Sequence, residues 1–169
     1  MGLRLILTRH AKSSWDDPLR DDVDRTLNKR GQADAQRIGH WLASKGYHPE
    51  QALVSAARRT QATWSLIQST ANFDTTDSTA DQGLYLASSD RIMQKLRQAN
   101  ADTVILIAHN PGIGDFAARF AKAAPSHPDF ARYPTCATTV FDVAAHKWAD
   151  VRFDANTVLD FCIPRDLQD

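Results

Sequence analysis

The chain contains no apolar stretch long enough to cross a bilayer, no surplus of either charge and almost no cysteine. Each shortage removes a class of function. Twenty Lys and Arg balance twenty Asp and Glu, a formal net charge of zero, so no global field draws the chain to nucleic acid or to an anionic membrane. The two cysteines, Cys136 and Cys162, stand far apart in the sequence. With no Cys-x-x-Cys and no His-x-x-x-His there is no zinc-type ligand spacing, and no metal or other cofactor is expected. Reduced, buried thiols suit an intracellular chain. Arg4 and Arg9 break the first apolar run, which therefore does not read as the hydrophobic region of a secretory leader. The expected location is the cytoplasm. No repeat, low-complexity segment or linker interrupts the sequence. Its 169 residues, 43% hydrophobic and 24% charged, suit one domain over 1–169 that buries about 70% of the surface its unfolded chain exposes.

Against these absences stand two short apolar runs, each ending in a histidine. Residues 3–8 lead into Arg9-His10, and residues 104–108 lead into His109-Asn110-Pro111-Gly112. Apolar runs of about five residues, bounded by turn residues and followed by helical periodicity, predict buried strands of an α/β sheet. Ligands on such sheets gather at the carboxyl ends of the strands, so the two histidines are expected to face one crevice. A third strand at 51–55 leads into Ser55-Ala56-Ala57-Arg58-Arg59-Thr60. That helix start is dense in hydroxyls, guanidinium groups and free N–H groups, which favour anions. Taken singly, each of the three clusters also has a structural reading, and a lone strand-end histidine is more often a structural residue. Three at the strand ends of one sheet predict a cationic pocket.

The rest of the pattern predicts helices at about 26–45, with Gly46 as a left-handed stop, and at 58–69, 90–98 and 113–123. An acid-rich loop covers 12–24 and a proline-bearing loop 125–134. Residues 71–81 read as a loop with a short strand. Residues 138–143 and 149–153 read as an antiparallel hairpin turning at 144–147, and 158–163 as an edge strand or packed extension. The expected fold class is α/β with a mixed, mostly parallel central sheet flanked by helices.

Arg9-His10-Ala11, the spacing Ser55…Arg59-Thr60…Thr63, and His109 at a strand end before a helix resemble, in that order, the motifs of the histidine phosphatase superfamily of phosphoglycerate mutases and acid phosphatases. The short length, the Arg-His-Ala-Lys-Ser-Ser-Trp opening and the Ala-His-Asn-Pro-Gly segment are most similar to its small SixA-type phosphohistidine phosphatases. The resemblance runs from about residue 3 to residue 143 and implies a three-layer, phosphoglycerate mutase-like fold. It implies His10 as the nucleophile, attacking phosphorus through a neutral ring nitrogen while the other ring nitrogen is held as a donor, typically to a backbone carbonyl. Arg9 and Arg59 would grip the phosphoryl oxygens as planar forks, and His109 would donate to the same oxygens. Four residues after Ser55 is the family's arginine position, which selects Arg59 and leaves Arg58 at the surface. Arg25 matches an arginine often present near the substrate, and reads equally as a substrate contact or a salt-bridged loop anchor. Lys12 would extend the positive pocket, and Trp15 is the one aromatic placed to wall it. His40, His48 and His146 read as surface or partly packed residues, and His127 as a rim residue at most.

Two departures from the family pattern bear on the substrate. The asparagine with which the mutase branch binds phosphate is Asp16 here, expected to point away from phosphate or to work protonated. The glutamate that protonates the leaving group in larger members has no counterpart in 81–86. A general acid matters most for an alkoxide leaving group, whereas a phosphoramidate can release a neutral imidazole. Asp16, Asp17 and Asp81 are candidate acids or plain loop carboxylates. The resulting expectation is a metal-independent phosphatase acting on phosphohistidine in a protein or on a small phosphorylated molecule. Mutase-like phosphotransfer and non-catalytic binding of phosphate or a phosphoprotein are the alternatives. The short chain leaves little room for a lid, which favours an open site that a protein side chain can reach.

Overall fold

The computed structural model describes residues 2–168. Strands and helices alternate along it as β1 (Leu3–Arg9), α1 (Lys29–Ser44), β2 (Gln51–Ser55), α2 (Arg58–Ala71), β3 (Asp77–Asp81), α3 (Ser89–Leu96), β4 (Thr103–Ala108), α4 (Gly112–Phe120), β5 (Thr138–Val143) and β6 (Thr157–Cys162). The strands form one sheet in the order β3-β2-β4-β1-β5-β6. The first four pair in parallel, and β5 and β6 add antiparallel. This is the mixed, mostly parallel α/β sheet that the sequence predicts. No helix among the described residues is long and apolar enough to cross a membrane.

The central strands are apolar throughout because both of their faces are covered. Leu5 and Leu7 of β1, with Val104 and Leu106 of β4, pack on the side of α3 and α4. Ile6, Ile105 and Ile107 pack on the side of α1 and α2. None of these seven side chains exposes any surface. Register then sets the site: Arg9 lies opposite Ala108, and Val54 lies opposite Ile107. Because β2, β4 and β1 are consecutive neighbours that end level, Ser55, His109 and His10 emerge along one edge.

The structure departs from the sequence expectation in two places. α1 begins at Lys29, because the Asn28 side chain accepts a hydrogen bond from the Gly31 N–H (2.8 Å) and caps the helix there, an arrangement that satisfies one otherwise unpaired donor. Leu27 is drawn into a bridge with Ser13. The second departure is the hairpin. Residues 149–153 are not a strand, and β5 pairs with Thr157–Cys162, which makes the tail the edge strand. Buried Trp148 donates its indole N–H to the Ala101 carbonyl, and the Val151 carbonyl accepts two bonds from Arg97 (3.1 and 2.8 Å). Those contacts pin the segment over the core and take its backbone away from any ladder.

Gly112 opens α4 against backbone from the loop before α3. A Cβ at this position would lie 1.8 Å from the Ala87 carbonyl oxygen. Gly112→Ala is therefore expected to cost about 1–3 kcal/mol or more, as an overpacked site does. A urea midpoint equal to that of the parent, at unchanged slope, would refute this account of the helix start.

Candidate active site

His10 leaves the end of β1 with its ring buried. Its Nδ1 lies 2.7 Å from the Ala11 carbonyl oxygen. A carbonyl only accepts, so Nδ1 carries the proton and Nε2 keeps its lone pair. Burial is the main cause that brings the pKa of His10 from 6.5 to about 3; the Ala11 bond opposes it, while His109, Arg9 and Arg59 add to it. The ring is neutral at neutral pH. His109, at the end of the neighbouring strand, stands 5.3 Å away between ring centroids. Its Nδ1 is 3.3 Å from Arg59 Nη2, and its Nε2 is 2.7 Å from Ser55 Oγ. A guanidinium only donates, so in this ring Nε2 carries the proton and Ser55 accepts it. Burial, joined by Arg59 and Arg9 and opposed by Asp22, lowers His109 to about 4.

Arg59 lies in the first turn of α2 and is buried. Its Nη1 donates to the Asp22 carbonyl (2.7 Å) and its Nη2 to Asp22 Oδ2 (3.0 Å). Arg9 donates through Nη1 to the Tyr133 carbonyl (3.2 Å), and its buried Nε–H has no partner among the described residues. Burial and then the Arg59 charge lower the Arg9 pKa, yet a guanidinium stays charged in any protein setting. Two fixed cations, a neutral ring with one bare nitrogen and a second neutral ring can together hold a tetrahedral oxyanion and attack it. The tertiary fold thus brings His10, Arg9, Arg59 and His109 together.

Asp22 ties the site together, and nothing in its local sequence separates it from Asp16, Asp17, Asp21 and Asp24 in the same loop. Besides Arg59 it accepts from Arg25 Nη1 (2.8 Å) and from the Tyr85 hydroxyl at short range. Partial burial alone would raise its pKa. The bonds from Tyr85 and Arg59 and the charges of Arg59 and Arg25 outweigh that and bring it to about 2. Tyr85 also sets its ring edge-on to His109, at 5.5 Å between centroids. Ser55, legible in the sequence only as a spacing marker, orients His109.

The remaining candidates are placed elsewhere or occupied. Arg25 donates to the Ser14 carbonyl (3.2 Å), to Asp22 and to Ser13 Oγ, the geometry of a loop anchor in the resting site. Trp15 stacks on the Arg25 guanidinium, 3.3 Å from its carbon to the ring centroid, and is 72% exposed. Asp16 is exposed. Asp17 caps the Leu19 N–H, and Asp81 caps Gly83 and pairs with Lys95, so both serve their own loops. The chain's one glutamate, Glu50, accepts from the Thr103 N–H where β4 begins, at the end of that strand away from His109. Lys12, Arg58, His40, His48 and His146 are exposed, and His127 pairs with Asp166 at 3.0 Å.

The family model of the histidine phosphatase superfamily, branch 1, matches residues 5–84, a span that carries His10, Ser55 and Arg59. Over 157 residues the chain is 31% identical to an uncharacterised chloroplast protein of Arabidopsis thaliana, covering 87% of this chain and 69% of the relative. Among solved structures, the protein assigned as phosphohistidine phosphatase SixA in Agrobacterium tumefaciens is 27% identical, with a TM-score of 0.78 over 97% of this chain and 99% of that one. A second such protein, from Nakamurella, is alike in fold, with a TM-score of 0.79 at 24% identity over 97% of each chain. Fold and site define an α/β domain organised around a neutral histidine among arginines. The chain belongs to the histidine phosphatase superfamily, branch 1, and is of the small SixA type.

Both site histidines stay neutral in the folded protein well below the 6.5 at which they titrate when unfolded. Between about pH 6.5 and pH 5 the unfolded chain therefore binds more protons, and stability falls with acidification. The slope is at most about 1.4 kcal/mol per pH unit for each histidine. Urea unfolding at the two ends of that window checks this. Replacing both histidines by asparagine should flatten the difference, and an unchanged pH dependence in that variant would contradict the assignment.

Proposed function

We propose that the chain, acting as one histidine phosphatase domain over 1–169, hydrolyses phosphohistidine through a phosphohistidine formed on its own His10. The observation that carries this reading is His10 Nε2, a bare and neutral ring nitrogen aimed by the Nδ1–Ala11 bond. In the first step the Nε2 lone pair bonds to phosphorus as the bond from phosphorus to the leaving group breaks. The leaving group takes that electron pair. An imidazole departs neutral when its other nitrogen bears a proton, so no alkoxide has to be protonated. In the second step water bonds to phosphorus, Nε2 recovers its electron pair, the water proton passes to solvent and phosphate departs.

Arg9 and Arg59 hold the phosphoryl oxygens, and such electrostatic positioning supplies most of the catalysis in phosphoryl transfer. The unpartnered Nε–H of Arg9 supports this role, since a buried donor left unpaired costs about 1–3 kcal/mol that a bound oxyanion relieves. Arg59 offers the N–H groups not already spent on Asp22 and His109. His109 offers its Nε2 proton, which Ser55 shares in the resting site.

Hydrolysis of phosphoramidate is expected without added metal and with no loss in EDTA; a large loss would mean a metal takes part. His10→Ala should abolish both turnover and the acid-labile phosphoenzyme, yet still bind phosphate through Arg9, Arg59 and His109. Arg59→Ala and His109→Ala should each lower turnover by about 10²–10³-fold, the usual loss for one preorganised donor, while Arg58→Ala does little. Rapid-quench labelling checks the nucleophile, and full labelling of the His10→Ala protein would place it elsewhere. Binding without turnover by the parent protein would make the chain a phosphate-binding module.

A further inference from the structure

Four large apolar side chains stand out in solvent among the described residues: Trp15 (72%), Leu19 (93%), Leu86 (56%) and Leu159 (43%). Leu159 lies on the edge strand β6. The other three lie on two loops that the Tyr85–Asp22 bond joins beside Arg59. Trp15 lies on Arg25, Arg25 bonds to Asp22, and Asp22 receives Tyr85, the residue before Leu86. Leu19 sits three residues before Asp22 on the same loop. Single exposed apolar residues are commonplace, whereas a group rimming one site marks an interaction surface.

Leu86 adds a second, independent sign. Its backbone holds φ +51°, a left-handed conformation that a branched side chain adopts at a cost and that persists where the surrounding structure imposes it. The strained residue is also an exposed apolar one, next in the chain to Tyr85, which reaches Asp22 and His109. Charge adds a third. Between residues 12 and 25 five aspartates face Lys12, Arg20 and Arg25, a net of two negative charges. Asp16, Asp17, Asp21 and Asp24 are exposed, and Arg20 approaches only Asp17, at 3.8 Å. These four exposed carboxylates lie beside the cationic pocket and attract a cationic face.

We infer that Trp15, Leu19 and Leu86 form a docking rim for a phosphorylated protein whose surface presents apolar and basic side chains around the phosphorylated residue. The inference rests on the phosphatase reading above. The apolar rim takes the partner's aliphatic groups, the aspartates take its lysines or arginines, and the phosphorylated side chain descends between the loops to Arg59. The rim sets affinity for the protein and leaves the chemistry at His10 untouched.

Two synthetic phosphohistidine peptides test this, one flanked by leucine and lysine and the other by serine and glutamate, with inorganic phosphoramidate as the small substrate. The parent protein should favour the leucine–lysine peptide by about tenfold or more in kcat/KM, about what one apolar side chain contributes. The double variant Leu19→Ser/Leu86→Asn should lose that preference through KM and keep its phosphoramidate rate within about twofold; asparagine tolerates the left-handed backbone at residue 86. Calorimetry with His10→Ala protein reads the same preference as binding, so docking stays measurable even if hydrolysis fails. Failure of hydrolysis alone would count against the phosphatase reading. Equal handling of the two peptides, or an equal loss on phosphoramidate in the double variant, would overturn the docking rim. So would sedimentation showing a parent dimer that the double variant dissolves, since the rim would then belong to a second copy of this chain.

Discussion

The parallel register of β1, β4 and β2 governs the rest of the molecule. Arg9 opposite Ala108 and Val54 opposite Ile107 bring the two histidines and Ser55 out at one level. A slip of a single residue in any of these strands would turn its apolar side chains from one face to the other. Both faces are covered by helices, with Leu5 and Leu7 on one side and Ile6 on the other. The packing that selects the register therefore also selects which side chains meet at the site. Core and chemistry share one constraint.

Burying two guanidinium groups next to each other is costly unless they are paired. Among the described residues Arg9 has only the Tyr133 carbonyl, and Arg59 is paired with Asp22. Its carboxylate and its carbonyl both receive Arg59, and it binds Arg25 and Tyr85 at the same time. The two histidines take the opposite course and remain neutral, because burial and neighbouring cations both disfavour a further positive charge. Under the proposed function, burial keeps the lone pair that His10 needs, and the neighbouring arginines act in the same direction.

The loop of residues 12–24 has two duties that pull in different directions. It anchors itself through buried contacts, with Arg25 on Ser13 and Ser14 and Gly31 close beneath Lys12. It also leaves Trp15 and Leu19 in water. Trp15 still packs on the anchoring Arg25, whereas Leu19 is left 93% exposed.

Much of this was legible in the chain alone. Apolar runs that stop at Arg9-His10, Ser55 and His109 announce buried parallel strands, because a strand covered on both faces has to be apolar along its whole length. The ordered motifs pointed to the family and to the four residues that the fold brings together. Local sequence did not reveal that residues 149–153 leave the sheet, since the cause is a long-range bond from Trp148 to Ala101. Nor did it distinguish Asp22 from the four aspartates around it. That choice depends on an arginine 37 residues away and a tyrosine 63 residues away. The sequence by itself determined which strands are buried and which residue types stand at their ends, because burial and periodicity are local properties of the chain. Which carboxylate balances Arg59 and Arg25, and which nitrogen of His109 carries the proton, was decided only by tertiary structure, because each depends on groups far apart in the sequence.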